Sequence, residues 1–116
     1  MSRRQADSRG RRAESLAALY LRLKGWRILA RRRQLPMIEI DILAQKGRIL
    51  AIVEVKHRPT LDQATAALTP SNARRLRQAA QQLAAEQAAN GKFLSARVDL
   101  IALAPGRFPR HIPNIA

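Results

Sequence analysis

Two adjacent strand-like segments place the strongest constraint on the fold of this chain. Residues 39–44 and 49–58 are dominated by β-branched and aliphatic side chains, and a polar break that contains Gly47 separates them. Such a pattern predicts two antiparallel strands that turn between Lys46 and Arg48. The rest of the chain has to pack around this hairpin.

Charged residues in the two segments fall on shared strand faces. Side chains alternate between the faces of a strand, so Glu39 shares a face with Asp41, and Glu54 shares one with Lys56 and Arg58. The predicted turn places Asp41 opposite Glu54 or one pair away. Charge beside apolar strand positions costs free energy unless it is paired or binds a metal. The hairpin therefore predicts a site of two carboxylates and a lysine.

Length and charge narrow the class of protein. A chain of 116 residues predicts a single domain over 1–116, and the absence of cysteine excludes disulfides and thiolate metal sites. The 22 lysines and arginines against 8 acidic residues give a net charge of +14. Such an excess favours polyanionic partners, nucleic acid before an anionic membrane. We expect a cytoplasmic protein with no membrane association.

The first helix is predicted over residues 11–24, ended by Gly25, and residues 1–9 are predicted to be a flexible tail. Its apolar positions recur at helical spacing: Ala13, Leu16, Ala17, Tyr20 and Leu23. At about 100° per residue, Glu14 lies only about 20° from Leu21, at the edge of the apolar face. A first-turn glutamate favoured by the helix dipole is the simpler explanation, and a contribution to the hairpin site is the alternative.

The other segments give weaker signals. In chain order they predict a short strand over 26–30, a loop over 59–68, a helix begun by Thr69 and Pro70 and ended by Asn90 and Gly91, a strand over 96–103 and an irregular tail over 104–116. Asp99 is explained by a salt bridge or an edge position. His57 and His111 lack partners at ligand spacing, so we interpret both as structural or surface residues.

Basic residues outside the hairpin form two groups, an arginine run after the first predicted strand and one face of the second long helix. Both are ordinary solvated surfaces in most proteins, but in a chain of this charge they are candidates for phosphate contacts. The predicted nucleic-acid-binding residues are Arg31, Arg32, Arg33, Arg58, Arg74, Arg75 and Arg77.

The hairpin residues suit a hard divalent cation. Mg²⁺ or Mn²⁺ takes oxygen ligands, commonly one or two carboxylates with water and substrate phosphate, and Asp41 and Glu54 meet that description. The backbone carbonyl of Val55 can add an oxygen, and Glu14 can ligate directly or through water. Lys56 would orient the attacking hydroxide and stabilise developing negative charge. The candidate catalytic residues are Asp41, Glu54, Lys56 and Glu14.

The order Glu14, Asp41, then Glu54, Val55 and Lys56 resembles the PD-(D/E)xK, or restriction-endonuclease-like, superfamily, and is similar to that of archaeal Holliday-junction resolvases. Residues 39–44, 53–58 and 111–114 resemble, more closely, the bacterial YraN family of uncharacterised proteins. The resemblance implies an α/β fold with a mixed central sheet flanked by helices, and a metal-dependent, nuclease-like site.

Two functional hypotheses follow. The first is an endonuclease-like protein that uses Mg²⁺ or Mn²⁺ and acts on DNA rather than RNA, including branched DNA; symmetric junction cleavage would need a homodimer. The alternative is a non-catalytic basic nucleic-acid-binding protein, in which the hairpin carboxylates form a structural network with Lys56 and Arg58. A protein that binds acidic partners or membrane surfaces would fit the charge but would leave the hairpin unexplained.

Overall fold

The computed structural model describes residues 3–36 and 38–115, with side-chain surroundings from residue 10 onward. Its elements are α1 (Arg3–Leu23), β1 (Arg27–Gln34), β2 (Glu39–Lys46), β3 (Ile49–His57), α2 (Leu61–Ala66), α3 (Pro70–Ala89), β4 (Ser95–Leu103) and β5 (Arg110–Ile112). None of the helices in these two ranges is long and apolar enough to cross a membrane.

The strands form one mixed sheet in the order β1-β2-β3-β4-β5. Only β3 and β4 are parallel, and the other neighbours are antiparallel. Parallel neighbours need a crossover connection, which α2 and α3 provide between β3 and β4. The predicted α/β class, a mixed sheet flanked by helices, is confirmed.

Each face of the sheet carries its own apolar core. One core packs α1 against the sheet through Ala17, Leu21, Ile42, Val53 and Ile101, and the other packs α3 through Leu76, Ala80, Leu83, Leu50 and Ile52. Strand β3 contributes to both cores, which explains its nearly unbroken apolar sequence. Glu54 and Lys56 are charged residues near the end of this otherwise apolar strand.

The hairpin prediction is confirmed. Lys46 pairs with Ile49, so the turn consists of Gly47 and Arg48 alone. Gly47 has a φ of 60°, as the first central residue of a type II′ turn requires. The register of the two strands is thereby fixed from the turn outward.

Helix α1 differs from its prediction in two respects. It begins at Arg3 rather than at residue 11, so the predicted start of the helix is wrong; of the tail predicted over 1–9, residues 1 and 2 lie outside the described residues. Its buried face consists mainly of alanines, while Leu16 and Leu23 are 49% and 79% exposed. Small side chains let the helix approach the sheet closely, and the leucines fall on the opposite side.

Three further predictions are wrong in detail. Strand β1 extends to Gln34, so the arginine run lies within an edge strand and not after it. Helix α2 occupies part of the predicted loop, capped by Thr60, whose hydroxyl accepts from the Gln63 N–H at 3.1 Å. Strand β5 lies inside the predicted irregular tail, where the prolines at 109 and 113 leave only three residues between them to pair with β4.

Candidate active site where strands β2 and β3 separate

The candidate site lies where the β2–β3 pairing stops. The last paired residues are Ile42 and Val53, and the next positions carry Asp41 and Glu54. There the Val55 N–H donates to the Asp41 carboxylate at 2.8 Å. This side-chain bond takes the place of a backbone ladder bond, so Asp41 holds the two strands at the point where they diverge.

Lys56 completes the group that the sequence predicted. Its Nζ lies 3.1 Å from Glu54 Oε1, and the two side chains are only 21% and 14% exposed. Both project from β3 two residues apart, as strand alternation requires. The structure therefore brings together Asp41, Glu54 and Lys56.

The two carboxylates are unfavourable neighbours when both are charged. The pKa of Glu54 is raised to about 7, first by burial and then by the charge of Asp41, against an opposing effect from Lys56. Burial also raises the pKa of Asp41, against the opposing hydrogen bond from Val55 and the charge of Lys56. A cation placed between the carboxylates would relieve this repulsion.

The donor set fits a divalent metal of the Mg²⁺ type. Within residues 10–36 and 38–115, whose side-chain surroundings the structure describes, there is no group of three or more histidine, cysteine, aspartate or glutamate side chains that could hold a metal ion. Mg²⁺ commonly binds one or two carboxylates and keeps several waters and substrate oxygens. Asp41 and Glu54 can supply those carboxylates, and the Val55 carbonyl is the predicted additional oxygen.

Glu14 is buried at the edge of the apolar face of α1, as its position around the helix predicted, and is only 5% exposed. It lies about three turns into the helix, so an interaction with the helix N-terminus does not explain it. Its Oε1 accepts from Arg31 Nε at 3.1 Å and its Oε2 accepts from Arg32 Nε at 2.8 Å. Each carboxylate oxygen of Glu14 thus has its own arginine partner.

The arginine run owes this arrangement to an unusual backbone conformation. Consecutive side chains of a regular strand point to opposite faces, yet Arg31 and Arg32 both reach Glu14 because Arg32 has a φ of 52°. For a residue other than glycine this conformation costs about 1–2 kcal/mol. Arg33 points elsewhere and lies 3.8 Å from Glu86 of α3.

The charges of this region influence one another. The pKa of Arg32 is raised, first by its hydrogen bond to Glu14, with burial opposing, and then by the charges of Glu14, Glu39 and Asp41. The charge of Glu14 in turn contributes to the raised pKa of Asp41. The pairing of Glu14 with the arginines was not predicted. The sequence contained a signal for it, because a buried carboxylate needs cationic partners and the chain has an arginine run.

The other predicted basic residues lie apart from this group. Arg58 donates to the His57 carbonyl at 2.8 Å, just after β3. The three arginines of α3 are exposed: Arg74, Arg75 and Arg77. Arg75 also lines a cavity of about 240 Å³ between α3 and the β1–β2 connection, and that cavity contains none of the candidate catalytic residues.

A second buried charge, Asp99, has a structural explanation. Its carboxylate accepts from Arg97 at 2.9 and 3.1 Å and from the Asn114 N–H at 2.9 Å, and lies 2.8 Å from His111 Nε2. Burial alone would raise the pKa of Asp99, but these hydrogen bonds outweigh it and lower the pKa. The salt-bridge prediction for Asp99 is confirmed, and His111 holds β5 in place.

Fold and site together define the class: an α/β protein in whose mixed sheet the pairing of two neighbouring strands stops at two half-buried carboxylates and a lysine. The chain belongs to the uncharacterised protein family UPF0102, whose model matches residues 13–103. This match confirms the resemblance to the YraN family of uncharacterised proteins, and the matched region includes Glu14, Asp41, Glu54 and Lys56.

Three relatives illustrate the match. A UPF0102 protein of Caulobacter vibrioides (strain NA1000 / CB15N) is 54% identical over 105 residues, covering 90% of this chain and 83% of the relative. One of Chelativorans sp. (strain BNC1) is 47% identical over 115 residues, 99% and 92% of the two chains. One of Brucella canis is 43% identical over 111 residues, 96% and 87%.

Proposed function

We propose that this protein is a metal-dependent nuclease-like enzyme of the PD-(D/E)xK, restriction-endonuclease-like superfamily, which cleaves phosphodiester bonds of DNA. One observation carries the proposal: Asp41 and Glu54 place two mutually repelling, largely buried carboxylates at the opening between β2 and β3, with the Lys56 ammonium 3.1 Å from Glu54. A carboxylate pair with a neighbouring lysine is suited to phosphate chemistry and unfavourable without a ligand.

Each residue has a defined role in this proposal. Asp41 and Glu54 would hold Mg²⁺ or Mn²⁺, with the Val55 carbonyl as a further oxygen. The bound cation would polarise the scissile phosphate and lower the pKa of a water molecule. Lys56 limits the repulsion between the carboxylates and presents a positive charge where negative charge develops on the phosphate.

The substrate class follows from the charge of the whole chain. A net charge of +14 favours a polyanion, and the exposed arginines of β1 and α3 provide basic surface on more than one element. We propose DNA rather than RNA as substrate, with activity in the cytoplasm. Symmetric cleavage of branched DNA would further require a homodimer.

A second candidate function is non-catalytic binding of nucleic acid. One observation favours it: within the described residues, every buried side-chain nitrogen and oxygen has a hydrogen-bond partner. Asp41 binds the Val55 N–H, Glu54 binds Lys56, and Glu14 binds two arginines. Such a network can be a purely structural one.

A cleavage screen tests the catalytic proposal. Purified protein is incubated with single-stranded, duplex, flap and four-way-junction DNA, in Mg²⁺, Mn²⁺ or EDTA. We expect cleavage of at least one substrate with metal and its loss in Asp41→Asn and Glu54→Gln. Asp62→Asn is the matched control, because Asp62 is an exposed carboxylate of α2 whose side chain is 94% accessible.

Two results would reject this assignment. Cleavage that survives Asp41→Asn would reject the site, and absence of cleavage with salt-sensitive, metal-independent DNA binding would favour the second function. Calorimetric titration with Mn²⁺ gives an independent measurement. Binding that Glu54→Gln abolishes supports a metal site, whereas no heat with either protein supports a structural network.

A further inference from the structure

Glu14 is a buried carboxylate that forms ion pairs with two arginines. Its buried carboxylate accepts from Nε of two consecutive arginines, Arg31 and Arg32, at 3.1 and 2.8 Å. Arg31 is held a second time, since its Nη2 donates to Ser15 at 2.8 Å. Two side chains of α1 therefore fix the orientation of the arginine pair, which we define as Arg31 and Arg32.

The backbone is distorted to make this arrangement. Besides Asn114, Arg32 is the only residue other than glycine with a positive φ in residues 3–36 and 38–115. A regular strand would send one of the two arginines away from Glu14. Strained conformations of this kind persist where the surrounding contacts enforce them and are concentrated at functional sites.

The arginine pair lies beside the candidate catalytic carboxylates. Arg31 pairs with Ile42 and Arg33 pairs with Ile40, so Arg32 lies across from Asp41 in the β1–β2 ladder. Among the described residues, strand β1 is at the edge of the sheet. The pair therefore lies in an edge strand, next to Asp41 in the ladder.

Among the described residues, the anchoring leaves both terminal nitrogens of Arg32 available for phosphate, and Nη1 of Arg31, whose Nη2 is bonded to Ser15. Glu14 uses Nε of each arginine, and among the described residues the hydrogen bonds of Arg32 involve Nε only. The arginine side chains remain 36% and 39% exposed. The terminal guanidinium nitrogens form the planar group that binds phosphate oxygens in a bidentate manner.

We infer that Glu14 is a positioning residue and not a metal ligand, and that it holds Arg31 and Arg32 as a binding site for a backbone phosphate of nucleic acid beside Asp41. The identity of the ligand as nucleic acid rests on the proposed function. The anchoring itself rests on the contacts of Glu14 and on the conformation of Arg32.

The substitution Glu14→Gln separates the alternatives, because each of them predicts a different change in DNA affinity. It makes the chain one unit more positive, so nonspecific attraction alone predicts tighter binding of DNA. A metal-ligand role predicts no change when EDTA is present. Loss of positioning predicts weaker binding, because the arginine pair is no longer held.

The assay is fluorescence anisotropy of a short fluorescein-labelled DNA duplex in EDTA over a series of salt concentrations. We expect Glu14→Gln to raise Kd about fivefold or more and to reduce the magnitude of the slope of log K against log salt by about 1–2, the loss of one or two phosphate contacts. Arg32→Gln should have a similar effect. The Kd of the double variant should not exceed the higher of the two single-variant Kd values, because both changes disable the same site.

Arg48→Gln is the matched control, since Arg48 is an exposed arginine at the hairpin turn, at the opposite end of β3 from Glu54. It should weaken binding less than Arg32→Gln. If circular dichroism shows that Glu14→Gln does not fold, the comparison of Arg32→Gln with Arg48→Gln decides. Equal effects of those two substitutions, or unchanged or tighter binding by folded Glu14→Gln, would overturn the inference. Absence of DNA cleavage would not overturn the inference, because binding is measured without metal.

Discussion

The repulsion at the site makes a quantitative prediction for Glu54→Gln. The pKa of Glu54 rises from 4.5 to about 7 on folding, first because the side chain is buried and second because Asp41 is close. A difference of this size corresponds to about 3 kcal/mol of unfolding free energy. The variant removes the charge while keeping the size of the side chain.

The sign of the effect follows from proton binding. Below pH 4.5 the folded and unfolded chains both hold the proton, so Glu54 contributes no penalty. As the pH rises from 4.5 to about 7, the unfolded chain releases its proton first, and the free energy of unfolding falls by about 1.4 kcal/mol per pH unit from this group. Above that range the full free-energy cost of ionising Glu54 in the folded chain remains. Glu54→Gln should therefore match the wild type in acid and exceed it by about 3 kcal/mol near pH 8.

Urea denaturation in EDTA measures this difference at each pH. Trp26 is the single tryptophan and is buried, so its fluorescence reports unfolding of the core. Titration of groups remote from Glu54 cancels in the difference between variant and wild type, whereas Asp41 and Lys56 contribute to that difference through their interaction with Glu54. Glu86→Gln is the control for the substitution itself, because the Glu86 side chain is 52% exposed. A difference between Glu54→Gln and the wild type that does not change with pH over this range would refute the reasoning.

Four other outcomes are expected, each measured by denaturation. Asp41→Ala should cost about 1–3 kcal/mol because the Val55 N–H loses its acceptor, whereas Asp41→Asn keeps one and should cost less. Leu21→Ala should cost about 2–5 kcal/mol, but Leu23→Ala, on the exposed side of the same helix, less than about 0.5 kcal/mol. Asp99→Asn should cost about 3–5 kcal/mol, since it leaves Arg97 and the β5 contacts without their carboxylate. Removal of bound Mn²⁺ with EDTA should lower the free energy of unfolding of the wild type by about 2.7 kcal/mol when the free Mn²⁺ concentration had been 100 times its Kd. It should leave the free energy of unfolding of Glu54→Gln unchanged.

The sequence predicts those parts of the molecule whose local patterns agree with their packing. The hairpin is one, because β-branched and aliphatic residues on both sides of a break at Gly47 indicate two antiparallel strands, with Asp41 opposite Glu54 or one pair away. The position of Glu14 is another, since helical geometry alone places it beside Leu21. Both depend on spacing along the chain and need no knowledge of distant contacts.

The failures have a common physical origin in tertiary contacts. The helical spacing of α1 groups Leu16 and Leu23 with its alanines, but only packing against the sheet selects the alanines for burial. Strand β5 forms because Leu100 and Ala102 offer a free edge to Ile112 and Arg110, which no local pattern reveals. The conformation of Arg32 depends on a glutamate 18 residues earlier in the chain.

The separation of β2 from β3 links the fold to the site. A continued ladder would pair the backbone of both strands beyond Ile42 and Val53 and leave little room for a ligand between them. Asp41 prevents this, because its carboxylate takes the N–H of Val55 that the ladder would have used. One carboxylate oxygen therefore satisfies the backbone and keeps the strands apart, while the charge of the same group remains beside Glu54. The residue that ends the pairing is thus also a member of the site, and the acidic residues of the hairpin collect at this end and not at the turn.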